Sequence, residues 1–128
     1  MQLFSATIAS SSEDEYCWTV GLADDVSDPK HYFLIQRAKA EEEQTPDPNS
    51  SDLYYEIDDQ IGGFYGGVNQ ILLGRHKIEL VLTEALAKRH NSAKALQIDL
   101  NITAAEWVAF QEDLVRITEG MVELNQLE

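Results

Sequence analysis

Apolar and polar residues alternate with period two along much of the chain, the pattern of strands that bury one face. Residues 2–9 place Phe4, Ala6 and Ile8 on one side. After a polar turn from Ser10 to Asp14, Tyr16, Trp18, Val20 and Leu22 share a face through residue 23. Residues 31–38 are dense in β-formers, and 53–59 set Leu53, Tyr55 and Ile57 against Tyr54, Glu56 and Asp58. Strands near 67–73 and 77–83 meet across Gly74-Arg75-His76, a short hairpin loop, and 95–100 repeats the alternation with Leu96, Ile98 and Leu100. The period then lengthens. Residues 83–90 read as a short helix rich in Ala, Leu and Lys. Thr103-Ala-Ala-Glu106 is a capping box, and Trp107, Phe110, Leu114, Ile117 and Met121 follow as one helical stripe.

Strands first and a long helix last predict an α+β fold. The expectation is a single domain over 1–128, with a largely antiparallel sheet of about six or seven strands. A short helix and a long C-terminal helix pack on one face. Residues 39–52 have two prolines, a run of three glutamates and no apolar periodicity, so they are expected to form a mobile acidic loop within that domain.

Charge changes the picture next. The 128 residues carry 23 acidic and 9 basic side chains, a formal net charge of −14. Residues 1–60 hold 14 of the acidic ones against Lys30, Arg37 and Lys39, so the negative field is concentrated in the first half. Nucleic acid is a poor ligand for such a chain, because binding phosphates requires a basic face. Anionic membranes are disfavoured for the same reason. The apolar runs are too short to span a bilayer, and the N-terminal residues lack the pattern of a signal peptide. A lone cysteine, Cys17, fits a reducing compartment and reads as a small core residue on a strand. The expected location is the cytoplasm.

Candidate chemistry is sparse, and no enzymatic activity is expected. Asp24, Asp25 and Asp28 follow the second strand, and Glu56, Asp58 and Asp59 close the fourth. Adjacent carboxylates on a strand point to opposite faces, and aspartates at strand ends are usual turn formers. The spacing at 24–28 lacks the alternation, glycine and final glutamate of a calcium loop, although an irregular calcium site shared by both clusters stays open. His31, His76 and His90 are scattered without a zinc pattern, His76 and His90 reading as surface residues. No nucleophile motif is present, and no cofactor is implied. The cluster Gly62-Gly63-Phe64-Tyr65-Gly66-Gly67 matches no phosphate-binding loop. It reads as a hairpin turn at Gly62-Gly63 and a bulge or close backbone approach at Gly66-Gly67, with Tyr65 as an exposed aromatic suited to a protein contact.

Taken together, these motifs resemble a known family. Residues 22–37, Leu-Ala-Asp-Asp-Val-Ser-Asp-Pro-Lys-His-Tyr-Phe-Leu-Ile-Gln-Arg, resemble the signature region of the immunity protein 10 family of bacterial polymorphic toxin systems. So do Tyr54-Tyr-Glu-Ile-Asp58 and Tyr65-Gly-Gly-Val68, and the segment 98–110 is similar in kind to that family's C-terminal part. The resemblance implies a small cytoplasmic antidote that binds and neutralises the toxin domain of a neighbouring gene. An acidic chain suits a basic partner, such as a nuclease toxin. The toxin contact is then expected at Asp24, Asp25, Asp28, Glu56, Asp58, Asp59 and Tyr65. The alternatives are a small-ligand or calcium-binding module and a general interaction domain without a toxin. The oligomeric state is left open.

Overall fold

The computed structural model describes residues 1–39 and 53–127, with Asp59 and Gln60 described through their backbone alone. In chain order, β1 (Gln2–Ala6) opens a first sheet. The second sheet is built by β2 (Ile8–Glu13), β3 (Cys17–Ala23), β4 (Tyr32–Ala38), β5 (Tyr54–Ile57) and β6 (Gly62–Tyr65). The chain then returns, and β7 (Val68–Leu73), β8 (Lys77–Leu82), β9 (Ala95–Leu100) and β10 (Glu123–Gln126) complete the first. Among the described residues three helices connect them: α1 (Asp58–Ile61), α2 (Glu84–Arg89) and α3 (Ala104–Thr118).

The first sheet has the order β1-β9-β8-β7-β10, and the second runs β2 to β6 in sequence. Every ladder is antiparallel except β1–β9 and β7–β10, where the first and last described strands add in parallel. Alternation sends Ile71, Leu73, Ile78, Leu80, Leu82, Leu96, Ile98 and Leu100 of the first sheet into the core. Val20, Leu22, Phe33, Ile35, Tyr55, Ile57 and Phe64 of the second join the same hydrophobic cluster. Helix α3 adds Phe110, Leu114 and Ile117 to it.

Helix α3 is held at both ends. Thr103 Oγ1 accepts the Glu106 amide at 3.1 Å and Glu106 reaches back to the Thr103 amide, which is the expected capping box. Glu106 also accepts the Ala9 amide of β2 at 3.0 Å. That bond is the first cause holding its carboxyl below the usual carboxylate range. At the other end Arg37 of β4 donates to the carbonyls of Arg116, Ile117 and Glu119 at 3.1, 3.2 and 2.8 Å. A guanidinium there satisfies carbonyls that the helix leaves open and complements its dipole.

The α+β class and the dominance of antiparallel pairing match expectation; the single sheet does not. The run 2–9 is broken at Thr7, where the chain crosses between sheets. The Thr7 amide donates to the Ala23 carbonyl and its hydroxyl to that of Asp24. Ser10 to Glu13, expected as a turn, is the outer strand β2. An edge strand pairs on one side only and tolerates polar residues on both faces. The actual turn is tied by Asp14, whose Oδ1 accepts the amides of Tyr16 and Cys17. Gly62-Gly63 is likewise strand rather than turn. The single helical turn of α1 makes the reversal, and Gly62 ends it at φ 81°. The stripe through Met121 is cut short after Thr118, with Gly120 at φ 75°, and β10 follows. Cys17 lies on a strand but half-buried and outside the core cluster. His76 is exposed as expected. His90 is half-buried, its ring 5.6 Å from that of Phe64, and among the described residues its Nε2 has no hydrogen-bond partner. The expected loop 39–52 lies outside the described residues apart from Lys39. That lysine pairs with Glu13 at 2.7 Å and sits 5.2 Å from the Trp18 ring centroid.

Candidate functional site

Both acidic clusters come to one end of the second sheet. Because β3, β4, β5 and β6 run alternately, the β3–β4 loop and the β5–β6 turn share that end. Asp24 is half-buried, and its Oδ1 accepts the amides of Lys30 and His31 at 3.0 and 3.2 Å. It therefore closes the loop, a turn-forming role. Asp25 and Asp28 are exposed. The Ser27 amide, 2.9 Å from Asp25 Oδ1, holds the Asp25 carboxyl below its usual range.

Asp58 is buried and lies 2.9 Å from His31 Nδ1. The His31 ring in turn stacks on Phe4 with centroids 6.0 Å apart. A histidine thus bridges the two acidic segments, and its own amide is one of the two bound by Asp24. Asp59 follows in α1, and its side chain lies outside the described residues.

The outer face of the second sheet carries the remaining expected residues. Register places Leu34, Glu56 and Gly63 in one row, with Gln36, Tyr54 and Tyr65 in the next. Tyr32 and Tyr54 donate their hydroxyls to Glu56, Tyr54 at 2.7 Å to Oε1 and Tyr32 to Oε2. The Tyr32 bond is the first cause, and the Tyr54 bond the second, that holds the Glu56 carboxyl below its usual range. Conversely, hydrogen bonding to Glu56, then burial, pushes the Tyr54 phenol up to about 12. Tyr54 leans on Tyr65, with ring centroids 5.1 Å apart and planes at 55°. Tyr65 is 51% exposed. Gly63 makes room for this arrangement: a β-carbon there would lie 2.1 Å from the Tyr54 hydroxyl. Helix α3 reaches the sheet from the other side, against the row that holds Trp18 and Arg37.

Sequence reasoning singled out Glu56 and Tyr65 but missed Tyr32 and Tyr54. The signal was available, since 32, 34 and 36 and 54 and 56 share the parity that faces away from Phe33, Ile35, Tyr55 and Ile57. One consequence is measurable in the free chain. An ultraviolet pH titration is expected to show Tyr54 ionising near 12, and Glu56→Gln is expected to return it toward the ordinary value near 10. A raised folded-state pKa stabilises below the unfolded value, so this contribution is intact up to about pH 10 and lost as pH rises through about 12. A titration identical in the variant contradicts the pairing.

Among the described residues no group of three or more His, Cys, Asp or Glu side chains is placed to hold a metal ion. Asp24 and Asp25 direct their carboxylates to loop amides, and Asp58 directs its own to His31. Two clefts of about 180 and 280 Å³ flank β2 and α3. The charged residues of the smaller pair locally, Glu13 with Lys39 and Asp113 with Arg116. No described helix is long and apolar enough to cross a membrane.

Comparison with known proteins agrees with the motif resemblance. No curated protein matches the chain. The model of the family described as Immunity protein 10 matches residues 4–108, which include the acidic loop, the Glu56 row, Tyr65 and the start of α3. The chain belongs to the immunity protein 10 family.

Proposed function

We propose that this chain is a cytoplasmic antidote that binds a cognate toxin domain through the outer face and acidic end of its second sheet. Family membership supplies the coarse function, a toxin immunity protein, and such proteins are generally not enzymes. The observation that carries the placement is the convergence of Asp25, Asp28, Glu56 and Tyr65 on one sheet. Exposed aromatics beside unpaired carboxylates are what an interface with a basic protein requires. Other described charges are matched within the chain in the pairs Glu13–Lys39, Glu79–Lys77, Glu84–Lys88 and Asp113–Arg116. A net charge of −14 favours a basic toxin, with a nuclease as the natural candidate.

The test is co-expression with the polypeptide encoded immediately upstream. The two are expected to co-purify as a complex stable through gel filtration at moderate salt. Separate elution of both folded proteins contradicts the proposal. A calcium-dependent rise in melting temperature would favour the ligand-binding alternative instead.

A further inference from the structure

We propose that Glu56 anchors the toxin interface by receiving an arginine guanidinium of the toxin, which lies against the ring of Tyr65. This rests on the toxin-binding function above and adds the residue and the chemistry it recognises.

Glu56 is a half-exposed carboxylate that already accepts one hydroxyl on each oxygen. A carboxylate oxygen has two lone pairs, so one acceptor site on each oxygen is left. Two parallel acceptors on one plane match the fork of a guanidinium, which a lysine ammonium cannot span. Among the described residues no basic side chain comes within ion-pair distance of Glu56. Among them its charge is answered by the two tyrosine hydroxyls. The carboxylate is also held in place, because Tyr32 and Tyr54 approach it from two strands and Gly63 leaves the space that Tyr54 occupies. Ordering costs of association fall when the receiving group is fixed beforehand.

The surroundings select an arginine-bearing partner over a second copy of this chain. Two copies meeting at this face would bring together surfaces from molecules of charge −14 each. A guanidinium, by contrast, gains the carboxylate and the exposed ring of Tyr65 in the neighbouring row. Tyrosine and arginine are also the residues that concentrate binding energy at protein interfaces.

The experiment measures binding of the full chain to the upstream-encoded polypeptide by surface kinetics, for wild type, Glu56→Gln, Tyr65→Ala and Glu84→Gln. Glu84 is an exposed residue of α2, between two strands of the first sheet, and its substitution makes the same charge change. Glu56→Gln is expected to weaken the complex by at least about 30-fold, chiefly through faster dissociation. Tyr65→Ala is expected to weaken it by about tenfold, and Glu84→Gln by less than about twofold. Equal affinities for Glu56→Gln and Glu84→Gln overturn the inference while leaving toxin binding intact. Should Glu56→Gln lose its fold, an unchanged affinity for Tyr65→Ala overturns it equally, since that exposed side chain is not needed for folding. Absence of any wild-type complex overturns the toxin-binding function itself, and this inference with it.

Discussion

Reversing charge at Asp25 and Asp28 together is expected to slow association with the toxin by about 10- to 100-fold at low ionic strength. Dissociation is expected to change by less than about threefold, because rim charges steer encounter more than they hold the complex. These two aspartates are chosen because the structure separates them from their neighbours. Asp24 closes the β3–β4 loop through two backbone amides, and Asp58 is buried against His31. Placing lysine at either of those would disturb the fold and obscure any effect on binding. Asp25 and Asp28 are exposed, and the Ser27 amide that Asp25 accepts can turn to water. Raising salt to about 1 M, where charge is screened beyond about 3 Å, should erase the difference between variant and wild type. Equal association rates at low salt would move the docking surface away from this end of the sheet.

Replacing Gly67 by alanine is expected to destabilise the chain by about 2–4 kcal/mol, the sum of backbone strain and overpacking. Gly67 has φ 80°, a region that L-residues adopt at a cost. A β-carbon there would lie 2.6 Å from Leu86 Cδ2 and 3.3 Å from Leu86 Cβ, on a buried side chain of α2. The position matters because Gly66 and Gly67 carry the chain from the second sheet back to the first. The Gly66 amide donates to the Leu53 carbonyl at 2.9 Å, and the Gly67 carbonyl accepts the Thr83 amide at 2.9 Å. For a chain of this size the loss corresponds to a fall in melting temperature of about 10 °C. Toxin affinity of the folded fraction should stay near wild type, which distinguishes this glycine pair from the neighbouring Tyr65. A stability change under about 0.5 kcal/mol would show that Leu86 yields without strain, contrary to the packing described here.

The strands with apolar alternation were legible because half-burial imposes period two on them: β3, β4, β5, β7, β8 and β9 follow it closely. The start of α3 was legible for a different reason, since Thr103 and Glu106 form a local motif that needs no tertiary context. What stayed hidden depends on contacts between distant segments. Nothing local in Phe4-Ser-Ala-Thr-Ile8 records that the chain changes sheets at Thr7, because both halves present apolar residues at regular intervals. The strands β2 and β10, Ile-Ala-Ser-Ser-Ser-Glu and Glu-Leu-Asn-Gln, sit at sheet edges and carry too few apolar side chains to show a period. The division into two sheets followed from neither, so one larger sheet was the simpler expectation. At the candidate site, charge singled out two segments that the fold brings to one end of the second sheet. It did not separate the structural carboxylates of Asp24 and Asp58 from the available ones, a distinction made by burial and by the His31 bridge. Nor did it disclose the tyrosine pair around Glu56, which exists only through the pairing of β4 with β5.

The central claim, that this chain neutralises a toxin by binding it, is tested most directly by growth. Cells expressing the upstream-encoded polypeptide alone are expected to stop growing. Co-expression of this chain should restore growth, and co-expression of the Glu56→Gln, Tyr65→Ala double variant should restore it poorly at equal protein level. Toxicity that persists beside the folded wild-type chain would contradict the account.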